Sequence, residues 1–248
     1  MMLGTGCLEA SDSTPFSPYT ATYTVLRGDS EIGRLSVELD QRDDGLWHYR
    51  IESEATVWYA RMLGISTTES AWFQWSGDGV IPLTYHHVAR KPGSDRFWQH
   101  RYDWQDMRTE TSTHEGEFEL ALTAGVVDPL TLRLEAVARL AEQAPDFESF
   151  ELSVLERDEI ESQQYRYIGP ERLEIDDRCF DTAVFKRFRK AGSSRNYSAW
   201  HAESLGWMPV RIRHEDDGKP IMLTLADWNS RDLSMPAAGT CAGQQATE

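Results

Sequence analysis

The residues best equipped for chemistry in this sequence are its histidines. His86 and His87 are adjacent in an alternating, strand-like run, so their side chains point to opposite faces and cannot chelate one ion together. A hairpin through Pro92-Gly93 brings His100 back towards them. A five-residue turn sets His86 opposite His100, and a four-residue turn sets His87 there instead. Either pairing places two imidazoles about 5 Å apart at Cβ, yet a zinc site asks for three or four ligands. No third stands out, so a cross-strand pair beside Trp98 and Tyr102 is the plainer reading and no metal site is assigned. Glu52 and Glu54 share a strand face and offer paired carboxylates for acid–base work if one is desolvated. In a chain with 41 acidic residues such pairs arise by chance, and a solvated face is the expectation. There is no Gly-x-Ser-x-Gly elbow, His-Glu-x-x-His pair, phosphate-binding glycine loop or Cys-x-x-Cys, and no catalytic residue is assigned.

Charge narrows the partners. The 248 residues carry 41 acidic against 25 basic side chains, a formal net charge of −16. Such a polyanion repels phosphate before local contacts form, which argues against nucleic acid. No apolar run approaches the roughly 18 residues that span a bilayer. The chain is long enough to bury a core without a metal or disulfide, and no cofactor is expected. One stretch reverses the charge locally: Lys186, Arg187, Arg189 and Lys190 surround Phe188. Alternation sends the two arginines to one side and the two lysines to the other. The four are candidates for docking anionic headgroups or an acidic partner; cross-strand neutralisation by Asp and Glu is the competing reading.

The elements that must position these groups are mostly strands. Trp47, Tyr49, Ile51, Ala55 and Val57 share one face, opposite His48, Arg50, Glu52, Glu54 and Thr56. Similar alternation runs through Leu35, Val37 and Leu39, through Phe150, Leu152 and Val154, and through Met208, Val210 and Ile212. Gly28-Asp29, Asp44-Gly45 and Gly77-Asp78-Gly79 punctuate the runs as turns. One segment departs from this period. After Asp128-Pro129, the residues Leu130, Leu134, Val137 and Ala141 follow helical spacing, with Asp128 as cap and Pro129 in the first turn. The prediction is a mainly β fold. A single antiparallel, strongly curved sheet forms an incompletely closed barrel, with one amphipathic helix over about 128–142 packed on its concave side. Nine Trp, nine Tyr and nine Phe suit an aromatic-lined concavity. Its candidate lining residues are Trp72, Trp98, Tyr102, Leu130, Leu134 and Trp200.

The chain ends differ from its body. Leu3-Gly4-Thr5-Gly6-Cys7, followed by a Ser/Thr/Pro stretch, resembles the end of a bacterial lipoprotein signal, although Leu3 sits one place too far from Cys7. Cys7 is the candidate lipidation site, with the apolar stretch of the signal expected upstream. Residues 1–17 are read as anchor and linker, 18–233 as the barrel domain and 234–248 as a disordered tail. If Cys7 is acylated, Cys179 and Cys241 remain to pair in an oxidising compartment; a buried free Cys179 and an idle Cys241 are the alternative.

The order of landmarks along the chain resembles a bacterial family called domain of unknown function 3108. The residues that carry it are Tyr23 through Gly33, Pro82-Leu83-Thr84-Tyr85, Asp128-Pro129-Leu130-Thr131, Tyr197-Ser198-Ala199-Trp200 and Met208-Pro209-Val210-Arg211-Ile212. The sequence departs from the family at Asp176-Asp177-Arg178, where a glycine turn is expected. The resemblance implies a secreted, β-rich envelope protein with a helix-capped half-barrel similar to bacterial lipoprotein carriers, and it implies no established activity. The resulting expectation is a non-enzymatic periplasmic protein, anchored to the outer membrane through Cys7. It would hold an acyl-chain or lipid-like ligand on the concave face. An envelope scaffold that binds another protein and a metal-dependent hydrolase are the alternatives.

Overall fold

The sequence alternation becomes one sheet. The structure, a computed structural model, describes residues 14–57, 64–189, 196–216, 219–239 and 241. Its first half supplies β1 (Tyr19–Arg27), β2 (Ser30–Gln41), β3 (Trp47–Ala55), β4 (Ser66–Trp75), β5 (Val80–Arg90), β6 (Arg96–Asp103), β7 (Arg108–Thr113), β8 (Gly116–Ala121) and β9 (Val126–Val127). Helix α1 (Thr131–Gln143) follows. The second half supplies β10 (Phe150–Glu156), β11 (Glu159–Ile175), β12 (Arg178–Phe188), β13 (Asn196–Ala202), β14 (Met208–Asp216) and β15 (Lys219–Ser230).

Strand β1 pairs with β15, so the first and last strands meet at the middle of the sheet. From that joint β2 to β8 step outward on one side and β14 to β9 on the other. Neighbours are antiparallel except β9 and β10, which are parallel. The physical reason is α1: parallel neighbours need a long crossover, and the helix supplies it. The outermost strands β8 and β9 are consecutive in the chain but are not hydrogen-bonded to each other. The expected curved, open barrel is therefore what forms. Its seam is held by side chains: Tyr102, Leu122, Val126 and Leu155 cluster across it, and Arg157 pairs with Glu115.

Helix α1 lies within the curve of the sheet. Leu130 and Leu134 of the predicted stripe are fully covered, as is Val137, but so are Leu132, Ala136 and Leu140 on other faces. This is a helix buried almost all round, which only a wrapped sheet can cover. Two carboxylates fix it. Asp128 accepts backbone N–H bonds from Leu130 and Thr131 at 2.8 and 2.7 Å, capping the turn that leads into the helix. Glu135 accepts the N–H of Val80 at 2.9 Å and pairs with Arg139 at 3.0 Å. The approach is close at Gly79, where a Cβ would lie 3.0 Å from the Glu135 carboxylate and the carboxylate would have to give by a few tenths of an ångström.

Residues on either side of the strands also pack on the barrel. Phe16, read as linker, is buried among Trp47, Phe73 and Trp75. The stretch from Ser234, expected as a disordered tail, places Met235 on the core, and Gly239 donates its N–H to the Asp177 carbonyl at 2.7 Å. Cys241 is disulfide-bonded to Cys179, resolving the alternatives left open by the sequence. The turn at Asp176-Asp177 needs no glycine: both residues adopt positive φ, 48° and 60°, which Asp tolerates in a two-residue hairpin turn. Residues 242–248 lie outside the described residues.

The disulfide closes a loop with a sequence separation of 62 residues. On loop entropy, reducing it or making Cys241→Ser should destabilise the domain by up to about 4 kcal/mol. Denaturant unfolding with and without dithiothreitol checks this, and coincident transitions would contradict it.

Candidate functional site

Alternation delivers a consistent set of side chains to the interior. Tyr19 and Tyr23 of β1, Leu35 and Val37 of β2, and Tyr49 and Ile51 of β3 face inward from one wing. Tyr165, Tyr197, Met208 and Ile212 face them from the other, and Arg133, Leu134, Ala136 and Val137 of α1 lie between. The space these groups leave is a cavity of about 20 Å³. That volume holds about one water molecule. Tyr19, Tyr49 and Trp47 are sealed, whereas Leu35, Ser53, Thr67 and Glu69, nearer the other end of their strands, are half-buried. The interior is therefore more accessible away from the aromatic floor around Phe16.

The walls are apolar, but the groups inside are not neutral. Arg133 replaces a hydrophobe within the helix stripe and makes no hydrogen bond or ion pair among the described residues. Burial opposes its charge, but Glu69 and the surrounding tyrosines outweigh that and hold it firmly protonated. Glu69 on β4 is its electrostatic counterpart. Burial pushes the Glu69 carboxyl up, while His87, Arg133 and Tyr85 together bring it down to about 2. Tyr85 donates to Glu69 at 2.9 Å and His87 Nδ1 lies 3.9 Å from it. The phenols stay protonated: burial raises Tyr19, Tyr23, Tyr49 and Tyr165. Tyr23 donates to the Pro209 carbonyl at 2.7 Å and Tyr19 makes a long contact of 3.5 Å to the Tyr49 hydroxyl.

The residues expected to line a groove do not converge. Leu134 lines the cavity, and Leu130 is buried beside it in the core. Trp72 faces outward, stacked on His48 with Arg42 above it. Trp200 also faces outward, its indole N–H donating to Glu171 at 2.8 Å. Trp98 faces inward but stacks on His87 at 3.6 Å between ring centroids, and Tyr102 belongs to the seam with Trp104. The reason is parity. Ala71 and Phe73 take the inward positions of β4 and Ala199 takes one on β13, so the tryptophans beside them must point out.

The histidine pairing needs a correction too. His100 lies opposite Tyr85, His87 opposite Trp98 and His86 opposite Gln99. With Ala89 opposite Arg96 the connection is one residue longer than the first expected turn and two longer than the second, and each step of register replaces every partner. Tyr85 stacks on His100 with ring centroids 5.5 Å apart. Among the described residues no group of three or more His, Cys, Asp and Glu side chains is placed to hold a metal. Glu52 and Glu54 face outward as read, and Glu52 pairs with Arg50.

The basic stretch divides. Lys186 is exposed. Arg187 turns inward and stacks over Tyr197 at 4.3 Å. Arg189 is neutralised by Glu156 at 2.7 Å and Glu161 at 3.1 Å, as the competing reading held. Lys190 and Cys7 lie outside the described residues. The group that the sequence reading passed over is Arg133 with its tyrosines. A signal existed: Arg133 stands three residues after Leu130 and four before Val137, inside the apolar stripe, where a charge calls for an explanation.

A sequence model of a family described as protein of unknown function (DUF3108) matches residues 18–226. No curated protein matches the chain. Among solved structures, the chain is similar to a beta-barrel-like protein of domain of unknown function DUF1849 from Brucella abortus. The two share 10% identity and a TM-score of 0.55, over 87% of this chain and 98% of that one. MucB aligns at 10% identity with a TM-score of 0.34, over 96% of this chain and 60% of that one. With the Brucella abortus protein the likeness is one of fold.

Asp128 is the interior carboxylate with a readable titration. Burial raises it from the usual 3.8 to about 6, against the pull of the N–H groups of Thr131 and Leu130. The folded state thus holds this proton more tightly than the unfolded chain. Its contribution is complete below about pH 4 and is lost as pH rises through about 6. Asp128→Asn keeps the capping oxygen and removes the titration. Relative to wild type, the variant should gain up to about 3 kcal/mol between pH 4 and pH 7. Urea unfolding at both pH values measures it, and a constant difference would refute it.

Proposed function

The chain belongs to the DUF3108 family of proteins of unknown function, and on that premise we propose that it is a non-enzymatic cell-envelope protein that binds an acyl-chain or lipid-like ligand between α1 and the concave face of its sheet. The observation that carries this reading is the interior itself. Leu35, Val37, Ile51, Met208 and Ile212 form an apolar wall facing Leu134 and Val137 of the helix, less sealed towards one end. A filled core of this size has no use for a tyrosine-lined gap with an unpaired arginine. The cavity of about 20 Å³ is too small for a chain, so uptake requires the wall to part. The seam between β8 and β9 suits that motion, because no backbone hydrogen bonds cross it.

The compartment we propose is the periplasm, with Cys7 as a lipid anchor in the outer membrane. The Cys179–Cys241 disulfide supports an oxidising location, since such bonds do not persist in a reducing cytosol. An interaction role for the basic stretch has less support: Arg187 and Arg189 are engaged within the domain and Lys186 alone of the described members faces outward.

Native mass spectrometry of protein extracted from its own cell envelope tests both parts. The expected spectrum carries a covalent lipid on the peptide containing Cys7 and a noncovalent acyl passenger released on activation. Protein recovered bare, with repeated failure to take up added acyl chains, would overturn the binding reading. A stoichiometric protein partner in place of a lipid would favour the scaffold instead.

A further inference from the structure

We propose that the ligand of this interior carries a single negative charge, a carboxylate at the end of its acyl chain, and that Arg133 holds that head with Tyr49 as a second donor. The inference rests on the acyl-chain reading above and narrows it from an apolar ligand to a monoanionic amphiphile.

Arg133 is the starting point. A guanidinium has five N–H donors and no acceptor, and among the described residues none of these donors meets a hydrogen-bond or ion-pair partner. The side chain is half-buried and its charge is offset only at a distance, by Glu69, so the fork of donors is left to take a direct partner. One water in the cavity satisfies a fraction of the five. An anion with two oxygens matches the planar fork of the guanidinium and closes the deficit, which is why arginine is the usual partner of carboxylates in buried sites.

The neighbouring hydroxyls separate into engaged and free. Tyr23 is committed to the Pro209 carbonyl and Tyr85 to Glu69. Tyr49 accepts a contact from Tyr19 and has no acceptor for its own proton among the described residues. It lines the same cavity as Arg133 and interacts with it electrostatically. Arg187 does not line the cavity but stacks on Tyr197, which does. Donors therefore collect at one place, and the apolar positions Leu35, Ile51 and Ile212 continue from it as a surface for a tail.

Glu69 sets the limit on charge. It stays ionised, held by His87, Arg133 and Tyr85, and it faces Arg133 without pairing directly. One negative charge on the ligand is balanced by the arginine. A second would add to the negative charge of Glu69, which already draws on Arg133, so a phosphate monoester dianion is disfavoured.

The test uses the full chain, stripped of lipid, titrated with dodecanoate, dodecanol and dodecyl phosphate at pH 8. Wild type should bind dodecanoate about tenfold or more tighter than dodecanol, and tighter than dodecyl phosphate. Arg133→Met should bring dodecanoate down to the dodecanol level while dodecanol binding is retained, which also reports that the variant is folded. Should that variant not fold, Arg133→Lys and Tyr49→Phe carry the test, each with a weaker carboxylate preference expected. Glu69→Gln should bring dodecyl phosphate towards dodecanoate. Equal affinity of wild type for dodecanoate and dodecanol overturns the proposal while leaving the acyl-chain reading standing. Tighter binding of dodecyl phosphate overturns its charge assignment. No binding of any of the three overturns both.

Discussion

A helix covered on nearly every side has to be wrapped, and in this protein the wrapping is done by one sheet. Leu132, Leu134, Ala136, Val137 and Leu140 project in different directions from α1, and all are buried. A flat sheet would cover one of those directions. The fifteen strands of the described residues, curled around the helix, cover them together, and the pairing of β1 with β15 makes the curl continuous between the first and last of them. The crossover role of α1 explains the single parallel pair at the edge. Asp128 and Glu135 then fix the helix along its length, one at its leading turn and one against the turn before β5.

The same wrapping creates the interior that distinguishes the protein from a plain sandwich. Long strands bring tyrosines from both wings to a common centre, where phenol rings pack as hydrophobes and their hydroxyls need partners. Most find them locally. Arg133 does not, and its charge is balanced at a distance by Glu69. The seam follows from the topology as well. Because β8 and β9 are joined by a short connection and one of them has two residues, they meet through side chains and not through a backbone ladder. The molecule presents an acidic outside, with a net charge of −16, and a cationic group within. Exposed charges are screened over about 8–10 Å at physiological salt, so the exterior does not preclude an anion at Arg133.

Legibility varied with how local the determining physics is. The strands, the helix and its cap, and the open curved sheet could be read directly, since Trp47-x-Tyr49-x-Ile51 and Leu130, Leu134, Val137 each repeat within a few residues. The site was read less well. Trp72 and Trp200 are larger and more apolar than their neighbours, and composition favours them as lining; the sheet turned Ala71 and Ala199 inward instead. His100 misses His86 by one step of register and His87 by two. Arg133 was visible as an anomaly in an apolar stripe, but its significance depends on Tyr49, Glu69 and Tyr197, which are far from it in the chain.

What the sequence by itself determined is the class of each segment: the period of two, the one stretch of helical spacing, the turns, and an acidic chain whose landmarks keep a family order. Those follow from backbone geometry and local side-chain direction, which a few neighbouring residues suffice to set. Only the tertiary structure decided which face of each strand is inside, that Cys179 meets Cys241 across 62 residues, and that an arginine on the helix ends unpaired among tyrosines from both wings. These depend on strand register and on how the two wings close around α1. Both are properties of contacts between distant parts of the chain, and no local pattern encodes them.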